Sequence, residues 1–248
     1  MQYQRKLYET FWRGVDWIFP PECLGCGKEG SVICEACLQK IQFLDRNRCI
    51  FCGRTMTKEG ICQRCRHEDH FFTEIRCLAN YEGITQEAVR RLKYENDLAV
   101  AFVLAELLTN LVQSANWMIE LVIPVPLSQK RLDERGYNQA ALLARPLSLN
   151  LGRPFTPKGL ARIRETRSQV NLNIRQRKEN VQNAFIADPL IVRDRSILLV
   201  DDVYTTGATM NAAAEALNQA GCLRVFALTV AKAVQRNSNI DNLLLDNV

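Results

Sequence analysis

The sequence predicts an α/β domain built on a parallel sheet, preceded by a small cysteine-rich module held together by metal. Three observations carry this expectation. From about residue 75 onward, short apolar runs alternate with longer stretches of helical periodicity, the rhythm of a parallel α/β sheet. Ser196–Asp201, built around Ile197-Leu-Leu-Val200, is apolar on both faces, as a central parallel strand must be. Finally, eight of the ten cysteines form four Cys-x-x-Cys pairs within 43 residues.

Residues 1–19 come first. Leu7, Phe11, Val15 and Ile18 fall at helical spacing, which predicts an amphipathic helix. Arg5, Lys6, Glu9, Arg13 and Asp16 interrupt any apolar run there, so the stretch does not read as a signal peptide. With no run of about 18 apolar residues, no transmembrane segment is expected, and the chain reads as cytoplasmic.

The cysteine pairs are Cys23/Cys26, Cys34/Cys37, Cys49/Cys52 and Cys62/Cys65. In a reducing compartment this spacing favours metal over disulfides. Two intervening residues let both thiolates of a tight turn point at one ion, and two such turns close a tetrahedral four-thiolate zinc site with no open position. Such a site is structural rather than catalytic. Gly25, Gly27 and Gly53 lie where the turns need positive φ or close backbone approach. Two zinc ions are expected; sequential pairing of the cysteines is simplest, and an interleaved pairing stays open. His67 and His70 read as surface residues, and Cys77 and Cys222 as small core residues. The module, residues 20–74, is too small to build much core, so its ions would supply folding free energy.

The next domain runs over 75–235. Strands are expected at Ile75–Tyr81, Glu120–Pro126 (stopped by its prolines), Ser196–Asp201 and Leu223–Val230; helices at Gln86–Lys93, Leu98–Ser114, Tyr137–Leu151 and Met210–Ala220, the last ending at Gly221. Residues 236–248 read as a tail.

Charge adds a further division. The formal net is +5, yet two zinc centres of four thiolates each would bring the whole to about +1. The basic excess is therefore local: Lys130 to Lys178 holds twelve Lys and Arg against Asp133, Glu134 and Glu165, a net of +9. Loops of one sign at a ligand edge point to a polyanion.

Ligands of open parallel sheets bind beyond the carboxyl ends of the strands, where Asp201 and Asp202 are expected. The turn after them opens a helix. Backbone amides and the hydroxyls of Thr205, Thr206 and Thr209, with Gly207 and Ala208 allowing close approach, make a seat for a phosphate monoester. The two carboxylates cannot share that phosphate, so they meet hydroxyls or a cation. A sugar phosphate with vicinal hydroxyls, a ribose 5-phosphate, satisfies both. Neither a Gly-x4-Gly-Lys-Ser/Thr loop nor a Gly-x-Gly-x-x-Gly fingerprint occurs.

Val200-Asp-Asp-Val-Tyr-Thr-Thr-Gly-Ala-Thr209 resembles the phosphoribosyl-diphosphate (PRPP) signature of type I phosphoribosyltransferases. Pro124-Val-Pro-Leu127, Arg131, Arg135-Gly-Tyr-Asn-Gln139, and then Arg164, Thr166, Gln169, Arg175, Arg177 and Asn180 resemble the ComF family of competence-associated proteins, which typically begin with a zinc ribbon. The resemblance runs from about Pro20 to Lys232. It implies a type I phosphoribosyltransferase fold after a double zinc ribbon. It further implies that Asp201 and Asp202 bind the ribose hydroxyls directly or through Mg²⁺, and that Thr205, Thr206, Gly207, Ala208 and Thr209 hold the 5-phosphate. Arg131, Arg135, Gly136 and Gln139 would form a diphosphate-facing loop, and Arg164 to Arg177, with Arg164 and Arg175 as catalytic candidates, a mobile flap. Thr205 departs from the hypoxanthine-type pattern, where an aspartate sits nearby, and leaves no visible general base.

The implied function is PRPP binding in natural competence, supporting internalisation of single-stranded transforming DNA, with that DNA and proteins of the uptake machinery as partners. Against this stand two alternatives. One is a salvage or biosynthetic transferase moving phosphoribosyl groups to a nucleobase; the other is a docking protein whose zinc ribbon binds partners and whose PRPP pocket is sensory.

Overall fold

A computed structural model describes residues 20–44, 47–164 and 183–233. The amphipathic helix expected at 1–19, the flap residues from Glu165 to Arg177 (Arg175 among them) and the tail lie outside the described residues.

The elements in chain order are α1 (Glu35–Leu38), β1 (Glu74–Asn80), α2 (Gly83–Tyr94), α3 (Leu98–Ser114), β2 (Leu121–Pro124), α4 (Gln129–Arg135), α5 (Gln139–Leu151), β3 (Leu160–Arg162), β4 (Phe185–Ala187), α6 (Pro189–Val192), β5 (Ser196–Tyr204), α7 (Ala208–Gln219) and β6 (Arg224–Lys232). Four strands form one parallel sheet in the order β1-β6-β5-β2. Alternation along β5 serves two cores. Leu198 and Val200 pack with Leu92, Leu104 and Leu147 of the helices on one face, while Ile197 and Leu199 pack with Met210, Ala213 and Leu217 of α7 on the other. Burial on both faces is why Ile197–Val200 reads as an unbroken apolar run.

Caps fix the helices that border the site. Asp97 accepts a hydrogen bond from the Val100 amide at 3.0 Å to open α3, and Asn138 accepts one from the Ala140 amide at 3.0 Å to open α5. Asn138 also donates through Nδ2 to the Val125 carbonyl at 3.0 Å, tying α5 to the end of β2.

The cysteine-rich module is stapled to the sheet. Leu24, Val32, Ile33 and Ile41 join the core beside α2 and α3, whereas Leu44, Phe51, Phe71 and Phe72 join the core beside α7. Gly25 permits the first contact, since a Cβ there would lie 2.7 Å from Cys37 Sγ and 2.9 Å from Ile84 Cδ1. Cys77 is buried as expected; Cys222 is only half-buried, with its thiol 3.2 Å from Asn218 Oδ1.

Two expectations need revising. β5 runs past its expected end at Asp201 to Tyr204, so Asp202 as well as Asp201 lies within the strand, because β6 stays in register with β5 through Lys232 opposite Tyr204. β2, by contrast, pairs with β5 only as far as Pro124 opposite Val200. That early stop leaves one edge of β5 open at the two aspartates. The expected diphosphate loop is also largely helical: Arg131 and Arg135 ride on α4, Gly136 is its left-handed cap at φ 78°, and Gln139 begins α5. Ser128 caps α4, and the fixed turn at Gly136 supplies the reversal that was taken for a loop.

Candidate functional site at the end of β5

A cavity of about 690 Å³ opens where β2 stops. Nine of the candidate ligand-binding residues meet on its walls: Asp201, Asp202, Thr205, Gly207, Ala208, Thr209, Arg131, Arg135 and Gln139. Its volume falls in the range of small-molecule sites. Gly136 remains outside as the cap of α4, and Thr206 turns to a neighbouring cavity of about 410 Å³ bounded also by Arg54, Arg64 and Phe71. Arg164 is exposed just beyond β3, which pairs antiparallel with β4 and brings Arg162 to the cavity wall. The basic segment is thereby divided. Arg131, Arg135 and Arg162 line the cavity, while Lys130, Arg145, Arg153 and Lys158 point to solvent.

The carboxylates differ in setting. Asp202 is 5% exposed, and its Oδ2 lies 2.7 Å from Lys93 Nζ in a buried ion pair. Its Oδ1 accepts a weak bond from Gln139 Nε2 at 3.4 Å. Gln139 in turn accepts from Arg135 through Oε1, and the Arg135 guanidinium lies over the Tyr94 ring at 5.6 Å. Burial alone would push Asp202 up, but the Lys93 charge and the hydrogen bonds outweigh it and hold the carboxyl below the ordinary range. Asp201 goes the other way: burial and the adjacent Asp202 charge raise it well above the usual carboxylate value. The two neighbouring carboxyls are thus shifted in opposite directions, and the Asp202 amide donates to Asp201 Oδ1 at 2.9 Å.

The phosphate seat follows. The chain leaves β5 at Tyr204, turns through Thr205-Thr-Gly207 and enters α7, whose first backbone bond is Asn211 N–H to the Gly207 carbonyl at 2.8 Å. The amides of the first turn therefore have no intrahelical acceptor and lie at the positive end of the helix dipole, the Ala208 amide donating to Thr206 Oγ1 at 3.5 Å. Gly207 is obligatory twice over: its φ is +80°, and a Cβ would come within 2.3 Å of the Tyr204 hydroxyl.

Sequence reasoning missed Lys93, Tyr81, Tyr94, Glu134, Tyr137 and Arg162, all on the cavity wall. Lys93 occupies the last turn of an amphipathic helix, where a lysine also reads as a simple dipole partner; only the fold brings it to Asp202.

The cysteines form two separate groups, Cys23/Cys26/Cys34/Cys37 and Cys49/Cys52/Cys62/Cys65, so the pairing is sequential. Within each group all sulfurs lie within 4.8 Å of one another, and Cys26–Cys34 and Cys52–Cys62 are 3.8 and 3.7 Å apart. A tetrahedron with Zn–S bonds of about 2.3 Å has edges of about 3.8 Å, so the geometry fits zinc. Chemistry agrees. Burial would raise Cys23, but the amides of Cys34, Gly25 and Cys26 bring it down to about 6; Cys49, similarly opposed by burial, is brought down to about 7 by the amides of Cys62, Phe51 and Cys52. Burial and neighbouring thiolates push Cys37 up to about 12 and Cys52 up to about 11, a mutual repulsion that a dication relieves. His67 and His70 belong to neither group: His67 is exposed, and His70 stacks on Phe51 with ring centroids 4.1 Å apart.

Comparison with known proteins gives the same division. Residues 14–79 match a double zinc ribbon domain and residues 92–245 a phosphoribosyl transferase domain. The chain is 33% identical over 204 residues to the DNA utilization protein YhgH of Escherichia coli K12, covering 79% of this chain and 89% of that protein. It is 30% identical over 212 residues to Competence protein F of Haemophilus influenzae, with coverage of 81% and 90%. To Competence protein ComFC of Bacillus subtilis it is 26% identical over 210 residues, with coverage of 78% and 81%. Among solved structures, a glutamine PRPP amidotransferase from B. subtilis aligns over 56% of this chain and 30% of that one, at 18% identity and a TM-score of 0.40. Zinc ribbons ahead of a phosphoribosyl transferase domain, and relatives with this same span, put the chain in the ComF family of phosphoribosyltransferase-domain proteins.

Proposed function

We propose that the protein binds PRPP with Mg²⁺ in the cavity at the end of β5 and serves the handling of single-stranded DNA during uptake. One observation carries the PRPP reading: the buried carboxylate of Asp202, paired with Lys93, shares a cavity with the amide-rich start of α7 and with Arg131 and Arg135. A pair of carboxylates, a phosphate seat and two arginines, Arg135 held by Gln139 and Tyr94, correspond to the ribose, 5-phosphate and diphosphate of one molecule.

In this reading the Thr205–Thr209 turn holds the 5-phosphate, and Asp201 and Asp202 accept from the ribose hydroxyls or ligate Mg²⁺ through hard carboxylate oxygens. Mg²⁺ supplies neutralisation of the diphosphate charge. Arg131 and Arg135 face that diphosphate, with Gln139 keeping Arg135 in place. Arg164 and Arg175 close over the reacting centre from the flap. Two zinc ions fill the cysteine groups, residues 20–74 act as one module on a 75–235 transferase-like domain, and the thiol-ligand chemistry suits a reducing cytoplasm.

The DNA role is supported by the relatives, a DNA utilization protein and competence proteins, and by the basic excess of residues 130–178. One calorimetric series tests both parts: PRPP with Mg²⁺, single-stranded DNA, then both together. PRPP is expected to bind, Asp202→Asn to weaken it at least about tenfold, and occupancy by one ligand to change affinity for the other. Equal PRPP affinity in Asp202→Asn would remove the ribose assignment; independent binding would separate the DNA role from the PRPP site. Diphosphate release with a panel of nucleobases decides whether transfer accompanies binding.

A further inference from the structure

We infer that Tyr204 is a positioning residue that couples the second cysteine group, Cys49/Cys52/Cys62/Cys65, to the phosphate-binding turn, so that the metal in this group sets the turn's affinity for phosphate. The inference rests on the reading of Thr205–Thr209 as a phosphate seat.

Tyr204 ends β5 and is 6% exposed. Its hydroxyl donates to the Phe51 carbonyl at 3.0 Å. Phe51 lies between Cys49 and Cys52, and its own amide points at the Cys49 sulfur. One residue of the metal-binding turn, Phe51, is thus held through its amide by a metal ligand and through its carbonyl by Tyr204. The same hydroxyl end of the Tyr204 side chain backs Gly207, as the 2.3 Å separation of a notional Cβ from the hydroxyl shows. The Cys49 sulfur, the Phe51 backbone, the Tyr204 phenol and Gly207 form one continuous chain of contacts into the seat.

A second tie runs parallel to the first. Asn211, in the first turn of α7, accepts from the Phe71 amide at 2.9 Å and donates to the Asp69 carbonyl at 3.2 Å; Asn218 donates to the Phe71 carbonyl at 2.7 Å. The chain leaving Cys65 therefore pins the helix whose start is the seat. His70 and Phe72 pack around Phe51 at 4.1 and 6.1 Å and stiffen the junction. The first cysteine group is tied elsewhere: Gly25 packs on Ile84 of α2, and Leu44 and Gln42 bond to Leu78 and Asn80 of β1. Equal in ligand chemistry, the two metal sites are unequal in what they hold.

Removing the phenol oxygen leaves the ring in place and cuts the link at that atom, both its hydrogen bond to Phe51 and its contact beside Gly207. In the full-length, metal-loaded protein, Tyr204→Phe is expected to bind ribose 5-phosphate about three- to tenfold more weakly, the span of one buried hydrogen bond, while keeping the wild-type metal content. Cys62→Ser is expected to weaken the same ligand, and adding Tyr204→Phe to it is expected to cost nothing further, since the link is already broken. Multiplying losses in the double variant, or wild-type affinity in Tyr204→Phe, would overturn the inference. Hydrogen exchange reads the link without ligand: amides of residues 205–211 should lose protection in Tyr204→Phe, and unchanged protection would overturn it even if Cys62→Ser does not fold. Failure of the wild type to bind ribose 5-phosphate would instead remove the phosphate-seat reading and leave the exchange result standing.

Discussion

Lys93 Nζ stands 2.7 Å from Asp202 Oδ2, joining the last turn of α2 to the C-terminal part of the strand that carries both aspartates. An ionised Asp202 at 5% exposure is tolerable only beside such a charge. Lys93→Gln is expected to destabilise the fold by about 2 kcal/mol, under the roughly 3–5 kcal/mol for breaking a fully buried pair because Lys93 keeps 24% of its side-chain surface. Urea unfolding measures it. Adding Mg²⁺ with PRPP should restore more stability to the variant than to the wild type if the cation takes over Lys93's place.

Gly207→Ala tests the seat itself. Both the left-handed backbone and the Tyr204 hydroxyl oppose a methyl group there. A cost of about 2–3 kcal/mol in stability is expected, with ribose 5-phosphate binding lost; thermal unfolding and calorimetry give the two numbers. Retained binding would mean that the ligand phosphate lies elsewhere in the cavity.

The aspartate pair predicts a pH signature. Asp201, raised by burial and by Asp202, holds a proton above the ordinary carboxylate range and must release it to ligate a cation or accept from hydroxyls. Affinity for Mg²⁺ and PRPP is therefore expected to rise with pH up to that raised value and then level off. Binding enthalpy should also vary with the buffer's ionisation enthalpy. Apo stability runs the other way in this window: the folded state binds more protons than the unfolded one, so stability falls as pH rises. Asp202, lowered, contributes stability that is lost only as pH falls below the ordinary carboxylate value.

Arg135 should discriminate between ligands. It lines the cavity from the end of α4 and is held by Gln139 and Tyr94. Arg135→Ala is expected to weaken PRPP about tenfold or more, one charge-assisted contact, and to leave ribose 5-phosphate nearly unchanged. Calorimetry with both ligands checks the difference.

Metal analysis should return two zinc ions per chain, one for each cysteine group. A content below one would refute both sites.

What the sequence made legible follows from chemistry that is local. Cys-x-x-Cys spacing, an unbroken apolar run at Ile197–Val200 and a Gly207-centred turn each state their geometry within a few residues, and the structure has all three. Lys93 was hidden because its role is set by a contact across 109 positions of chain to Asp202. Tyr204 was hidden for a similar reason: a tyrosine after two aspartates looks like strand filler until Phe51 is brought to its hydroxyl. The end of β5 was misjudged because strand length depends on the neighbour. β6 continues the pairing past Asp202, whereas β2 ends at a proline. α4 was read as a loop since seven residues carrying five charges offer almost no apolar face to reveal a helix.

β1 is the outer strand of the sheet on one side, and the cysteine-rich module runs along it: Leu44 donates to Leu78, Asn80 to Gln42, Ile75 to Ile50, and Phe43 bridges Ala79. Open strand edges recruit other chains. Loss of zinc would therefore uncover a template for intermolecular pairing, and demetallated protein is expected to fail by self-association before the sheet melts, with scattering rising ahead of any loss of strand signal. The ribbons, whatever else they touch, keep this sheet from growing.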